Sequence, residues 1–200
     1  MSGFPKLVPA FTTHIVLDAP IAVGSVSKGA PLTIAPFASP SPNSYLRSEA
    51  NYPIKVDAVF AHGSDFIRQD PSGKHLRLDV NSILKDESGA VISYKYSGII
   101  TVTPAIGAVL GGAADAKSTD FGNVGDSAFS ARAWMHVPER VDGVEQGFGL
   151  IVHVVTHVLF ETGSDELRAL EQKIYVASGR FVVEAGQPTV VEYKISEVTA

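Results

Sequence analysis

The residues best placed to do chemistry lie on one face of a short alternating run. His75, Arg77, Asp79 and Asn81 alternate with Leu76, Leu78 and Val80. Period-two alternation marks a strand with one apolar and one polar face. The polar face has two readings: it meets water and its charges are solvation, or the strand belongs to a closed barrel and that face lines an interior cavity. In the second reading Arg77 polarises a substrate carbonyl and Asp79 orients the guanidinium, so these two are the candidate catalytic residues. Asp65 and Arg68 join them if the upstream strand is adjacent. Tyr94 and Tyr96, on one face of the following strand, offer flat apolar surface with a hydroxyl donor. Trp134 is core or a pocket wall.

His153 and His157 invite a metal reading, since four residues apart is ligand spacing on a helix. Their segment is rich in β-branched residues and reads as a strand. Four strand residues span about 13 Å, whereas two ligands of one zinc each lie about 2 Å from it. No shared metal is expected, and His157 is a pocket or surface residue. Gly73-Lys74 lacks the upstream glycine of a phosphate loop, no Gly-x-Gly-x-x-Gly opens a helix, and no Gly-x-Ser-x-Gly elbow occurs. No cofactor is expected.

The elements that must position these residues are mostly strands. Runs at 13–17, 31–37, 53–60, 75–81, 91–103, 129–137, 150–160, 174–177, 180–183 and 189–198 read as strands. Asp70-Pro-Ser-Gly-Lys74 is a tight-turn sequence that makes the strands on either side a hairpin. The turn at 85–89 repeats the pattern, and Asp142-Gly143 marks a third. Residues 105–116 are small and Gly-rich, and fit a loop or a frayed helix. The one good helix candidate is 164–172, where Ser164 can cap, Asp165 and Glu166 suit the first turn, and Leu167 and Leu170 share a face.

The fold class expected is all-β: a closed, lipocalin-like antiparallel barrel of about eight to ten strands with one short helix. A chain of 200 residues and 21.1 kDa makes one domain. Its 45% apolar content supports a packed core. A net charge of −5 argues against a nucleic-acid partner and an electrostatic membrane anchor. Zero cysteines exclude disulfides and thiolate chemistry. The longest apolar stretch, 147–160, is too short to span a bilayer, and the first residues do not read as a signal peptide, so a cytoplasmic location is expected.

Several stretches together resemble a known family. They are Gly63-Ser-Asp-Phe-Ile-Arg-Gln-Asp-Pro-Ser-Gly-Lys-His-Leu-Arg-Leu-Asp-Val80, Lys85-Asp-Glu-Ser-Gly-Ala-Val-Ile-Ser-Tyr94, Phe160-Glu-Thr-Gly163, Ala169-Leu-Glu171 and Val176-Ala-Ser-Gly-Arg-Phe181. The chain resembles the fungal branch of a small β-barrel family of unknown function. The resemblance implies a calycin-like barrel with an internal pocket. Some similar fungal proteins are cofactor-free pericyclases that promote hetero-Diels–Alder cycloadditions. The family's shared residues fall on Asp65, Arg77, Asp79, Glu161 and Gly163, and imply pocket positions. Against the family pattern, residues 124–153 are an insertion. They hold Trp134 and suggest a hairpin that acts as a lid or as the contact of a homodimer.

The function expected is a cofactor-free cyclase or isomerase acting on an apolar polyketide or terpenoid intermediate. The alternative is a lipocalin-like binding protein with no chemistry. Either way the partner is an apolar small molecule.

Overall fold

The computed structural model describes residues 3–121, 151–152 and 154–200. The chain runs β1 (Lys6–Val16), β2 (Ile21–Gly24), β3 (Leu32–Pro36), β4 (Tyr45–Ser48), β5 (Asp57–Gln69), β6 (His75–Asp86), β7 (Val91–Thr101), α1 (Pro104–Leu110), β8 (Asp120–Phe121), β9 (Ile151–Val152), β10 (Val154–Thr162), β11 (Tyr175–Val182) and β12 (Val190–Thr199).

Eight of these strands close on themselves. The order is β5-β4-β1-β12-β11-β10-β7-β6, and β6 pairs back onto β5. Every pairing in the ring is antiparallel. Between β1 and β5 the wall is shared. β4 spans the gap at one end, and β3 lies along residues 64–68 of β5 at the other. From there β3 reaches β1 through a bridge between Leu17 and Phe37. Closure leaves few open edges of the kind that invite aggregation.

The hairpins follow from turn chemistry. In both the 70–74 and 86–90 turns an Asp carbonyl accepts from the glycine three residues on (Gly73 N to Asp70 O and Gly89 N to Asp86 O, each 2.8 Å). Gly73 and Gly89 take φ of +70° and +87°, which a side chain would disfavour.

The short helix is α1, in the stretch whose sequence left loop or helix open. Thr103 caps it by accepting from the Ile106 amide, and Pro104 supplies a preset φ at its first position. The helix expected over 164–172 is a correction: that segment carries only the 3-10 turn Arg168–Leu170. Unlike α1, it has no side-chain cap: Leu167 stands at the start of the turn and makes no capping bond. Here the Glu171 carboxylate accepts from the Thr162 amide at 2.6 Å, while Leu167 and Leu170 bury against the barrel.

The flanks of the proposed insertion meet. β8 and β9 pair in parallel, Asp120 with Ile151 and Phe121 with Val152. Just before β8, Thr119 pairs with the edge of β11, its amide donating to Phe181 O and its hydroxyl accepting from Phe181 N, both at 2.9 Å. The strand expected at 129–137, the turn at Asp142-Gly143, Trp134 and His153 lie outside the described residues.

Candidate functional site

Side chains that point inward alternate along each strand, and they divide the barrel lumen in two. One half is packed with rings. Phe11 contacts Tyr52, Phe160 and Tyr175 at centroid distances of 5.0, 5.5 and 5.7 Å, and Tyr94 bridges Phe60 and Phe160 at 5.7 and 5.5 Å. A polar seal closes that end. The Tyr52 hydroxyl lies 3.0 Å from that of Tyr175 and donates to Glu197 at 2.6 Å, and Lys173 donates to the other Glu197 oxygen at 2.6 Å.

The other half is hollow. A cavity of about 820 Å³ lies between the strands and α1. Ile15, Ile67, Leu76, Val191, Phe37 and Phe181 make its walls, with Val109 and Leu110 of α1 at the mouth. Asp65, Tyr96 and Tyr193 supply the polar groups deeper in. Apolar walls with a few convergent polar groups are the usual form of a small-molecule site, and this volume lies within the usual range of roughly 300–1,000 Å³.

Asp65 faces inward because of a β-bulge. Phe60 pairs with Leu84 and His62 with Ile83, so Ala61 is an extra residue on β5. Before it, Ala58 and Phe60 are buried; after it, Gly63 and Asp65 are. Without the bulge Phe66 would point in and Asp65 out.

Asp65 also fills a gap in the ladder. Pairing of β5 with β6 runs to Asp65 and Val80 and resumes at Arg68 and Arg77. In the interval the Asp79 amide donates instead to Asp65 Oδ1 at 3.1 Å. Only 7% of Asp65 is exposed. Burial pushes its carboxyl up to about 7, the Asp79 amide works against this, and repulsion from the Asp79 carboxylate adds to it. The rings of Tyr96 and Tyr193 pack 5.1 Å apart. Burial, with the nearby Asp65 charge adding, holds both phenols well above their ordinary range, so both remain donors.

The expectation that the polar face of residues 75–81 lines the lumen is corrected. Leu76, Leu78 and Val80 take the interior positions, and Arg77 and Asp79 face outward. Arg77 makes a two-pronged pair with Asp70 of the adjoining turn at 3.0 and 2.9 Å, with about half its side chain exposed. Burying a guanidinium among leucines would cost far more than leaving it in water. Arg68 has the same outward parity and donates to Ala30 O at 3.2 Å.

Tyr94 points inward but lies below the cavity, fully buried in the ring-packed half. Its hydroxyl, like those of Thr13 and Thr156, has no partner among the described residues. On β10, Thr156, Val158 and Phe160 fill the inward positions. His157 and Glu161 are therefore on the outer surface, where Glu161 pairs with Lys95 at 2.9 Å. Of the proposed pocket residues, the structure brings together Asp65 and Tyr96. Tyr193, Phe181 and α1 were not anticipated; the alternation of Val191, Tyr193 and Ile195 was the available signal for the first. Among the described residues no three metal-ligating side chains cluster, and no helix is long and apolar enough to cross a membrane.

Solved structures share this fold, among them the three that follow. A conserved protein of unknown function from Rhodopseudomonas palustris is 16% identical, with 98% of this chain and 99% of that one aligned at a TM-score of 0.62. A beta-barrel like protein from Acinetobacter baumannii is 16% identical, with 98% and 96% aligned at 0.61. A protein with unknown function from Clostridium acetobutylicum is 18% identical, with 98% and 99% aligned at 0.62. No curated protein matches the sequence. Residues 5–198, nearly the whole barrel, match one family, and the chain belongs to it: DUF3237, described as a protein of unknown function.

Proposed function

We propose that this protein is a cofactor-free cyclase or isomerase that holds an apolar small molecule in the open half of the barrel. One observation carries the reading: a buried carboxyl that titrates near 7 lines an apolar cavity together with two phenol donors. A protonated Asp65 and a tyrosine hydroxyl can both donate to one substrate oxygen, and each fixed donor is worth roughly 3–4 kcal/mol where charge develops. In this reading Asp65, Tyr96 and Tyr193 take the part first assigned to Arg77 and Asp79.

The chemistry needs nothing further. Donation to a carbonyl by a tyrosine hydroxyl favours enolisation, with an ionised Asp65 taking the α-proton and returning it at the γ-carbon, and so isomerises a β,γ-double bond. It also activates an enone for hetero-Diels–Alder closure, in which one C–C and one C–O bond form while two π bonds are lost overall. That closure needs no oxidant, reductant or leaving group. Holding the two reacting ends aligned in the cavity supplies up to about 7–11 kcal/mol. The resemblance to fungal proteins that include pericyclases favours the cyclisation form of this reading.

A second reading, a carrier with no chemistry, has its own support: the bond from the Asp79 amide gives Asp65 a structural reason to be buried. One experiment separates the two. The protein is incubated with an extract of the producing organism from which its gene has been deleted, and with a tethered enone–alkene as a defined probe. An enzyme consumes a metabolite or the probe faster than buffer does, and Asp65→Asn or Tyr96→Phe slows it. If nothing turns over, while extracted compounds bind and Asp65→Asn binds them as well, the protein is a carrier.

A further inference from the structure

The cavity carries a charge signature that bears on what it admits. Its lining contains two carboxyl groups, Asp65 and Asp18, and among the described residues no lysine, arginine or histidine. The Asp79 amide from β6 donates to Asp65, and the Tyr96 phenol from β7 and the Tyr193 phenol from β12 lie near enough to feel its charge; the Asp79 carboxylate lies on the outer side, and Asp18 is an exposed member of the lining. The remaining polar side chains of the lining, Thr33, Gln69 and Thr189, are uncharged. A carboxylate or phosphate entering this space would lose its hydration and meet no cation among the described residues. An ammonium group would have to form a buried ion pair, in which desolvation offsets most of the attraction. A neutral oxygen acceptor meets phenol and carboxylic acid donors without leaving any charge unpaired.

We infer that the cavity selects uncharged ligands, an apolar body ending in a neutral oxygen acceptor seated against Asp65, Tyr96 and Tyr193, and rejects anions and ammonium compounds. This rests on the cavity being the ligand site of the proposed function. It adds a charge rule that the fold alone does not impose, since a barrel of the same shape with a basic floor would prefer anions.

Three probes on one skeleton test it: 2-acetylnaphthalene, 2-naphthoate and 2-naphthylmethylammonium. Binding to the full chain is measured by protein NMR, read at Tyr96 and Tyr193, at about pH 5.5 and about pH 8.5, on either side of the Asp65 titration. The ketone is expected to bind at least about tenfold more tightly than the naphthoate at both pH values. It is also expected to weaken severalfold at the higher pH, where Asp65 stops donating. Asp65→Asn should abolish the pH dependence of ketone binding, because the amide does not ionise in this range. Naphthoate binding as tightly as the ketone, or the ammonium compound binding tightest at the higher pH, would overturn the charge rule and leave the cavity a ligand site. If none of the three shifts the tyrosine signals, the inference and the ligand-site reading fall together.

Discussion

Asp65 on β5 turns inward and accepts, through Oδ1, the backbone amide of Asp79 on β6, whose own side chain turns outward. The two carboxyls thus stand on opposite faces of one sheet although the residues are near neighbours across the ladder. The same contact completes a strand pairing and fixes one oxygen of the one carboxyl that, among the described residues, is itself buried in the cavity lining.

Asp65→Asn is expected to stabilise the protein at high pH. The folded-state value near 7 lies above the ordinary 3.8. Folding therefore binds a proton between these values. The associated stability is fully present below 3.8 and lost as pH rises to about 7. Asparagine keeps the acceptor for the Asp79 amide and never ionises. Denaturant unfolding at about pH 8.5 should show the variant more stable by roughly 2–4 kcal/mol, with the difference vanishing toward about pH 4. A variant less stable at both pH values would show that the carboxylate is stabilised in a way this geometry lacks.

Arg77→Ala should leave cavity binding, any turnover and the thermal midpoint unchanged within error. The Arg77 pair with Asp70 is solvent-exposed, and such pairs contribute little. Asp70, held below its ordinary value chiefly by its hydrogen bond from Arg77, should titrate higher in the variant, which carboxyl NMR can follow. Loss of turnover in this variant would return Arg77 to the catalytic assignment.

Gly179→Ala is expected to disturb the cavity from the neighbouring strand. Gly179 pairs with Tyr193, and a Cβ there would come within 2.5 Å of the tyrosine ring. The cost should be about 1–3 kcal/mol, with weaker probe binding because Tyr193 must move. Adding Tyr193→Leu should recover part of the stability. Strictly additive losses in the double variant would mean the ring has room to yield.

Tyr52→Phe tests the closed end. The ring stays packed on Phe11, but Glu197 and Tyr175 each lose a hydrogen bond. A loss of about 1–2 kcal/mol is expected near neutral pH. Burial alone would raise the Glu197 carboxyl, yet hydrogen bonds from Lys173 and Tyr52 hold it below its ordinary value. A depressed acid contributes stability above its unfolded value and loses it as pH falls, so the deficit should shrink below about pH 4.5. A deficit independent of pH would place the effect in packing instead.

What the sequence by itself determined was the class of fold and the hairpins. Alternation in residues 75–81 and the Asp-Pro-Ser-Gly turn at 70–73 are local properties, and local turn chemistry paired β5 with β6 as expected. Which face of that hairpin points inward was decided only in three dimensions. Alternation shows that a strand has two faces, and closure of the barrel chooses the apolar one for the lumen, which puts Arg77 and Asp79 outside. The sequence makes Asp65 a candidate, but its inward turn depends on the extra residue Ala61. A bulge has no periodic signature; it arises where two strands must bend together to close. Tyr193 and α1 belong to segments far from Asp65 in the chain. They meet it because ring closure brings β12 and the mouth helix to one cavity, a long-range outcome that no local spacing encodes.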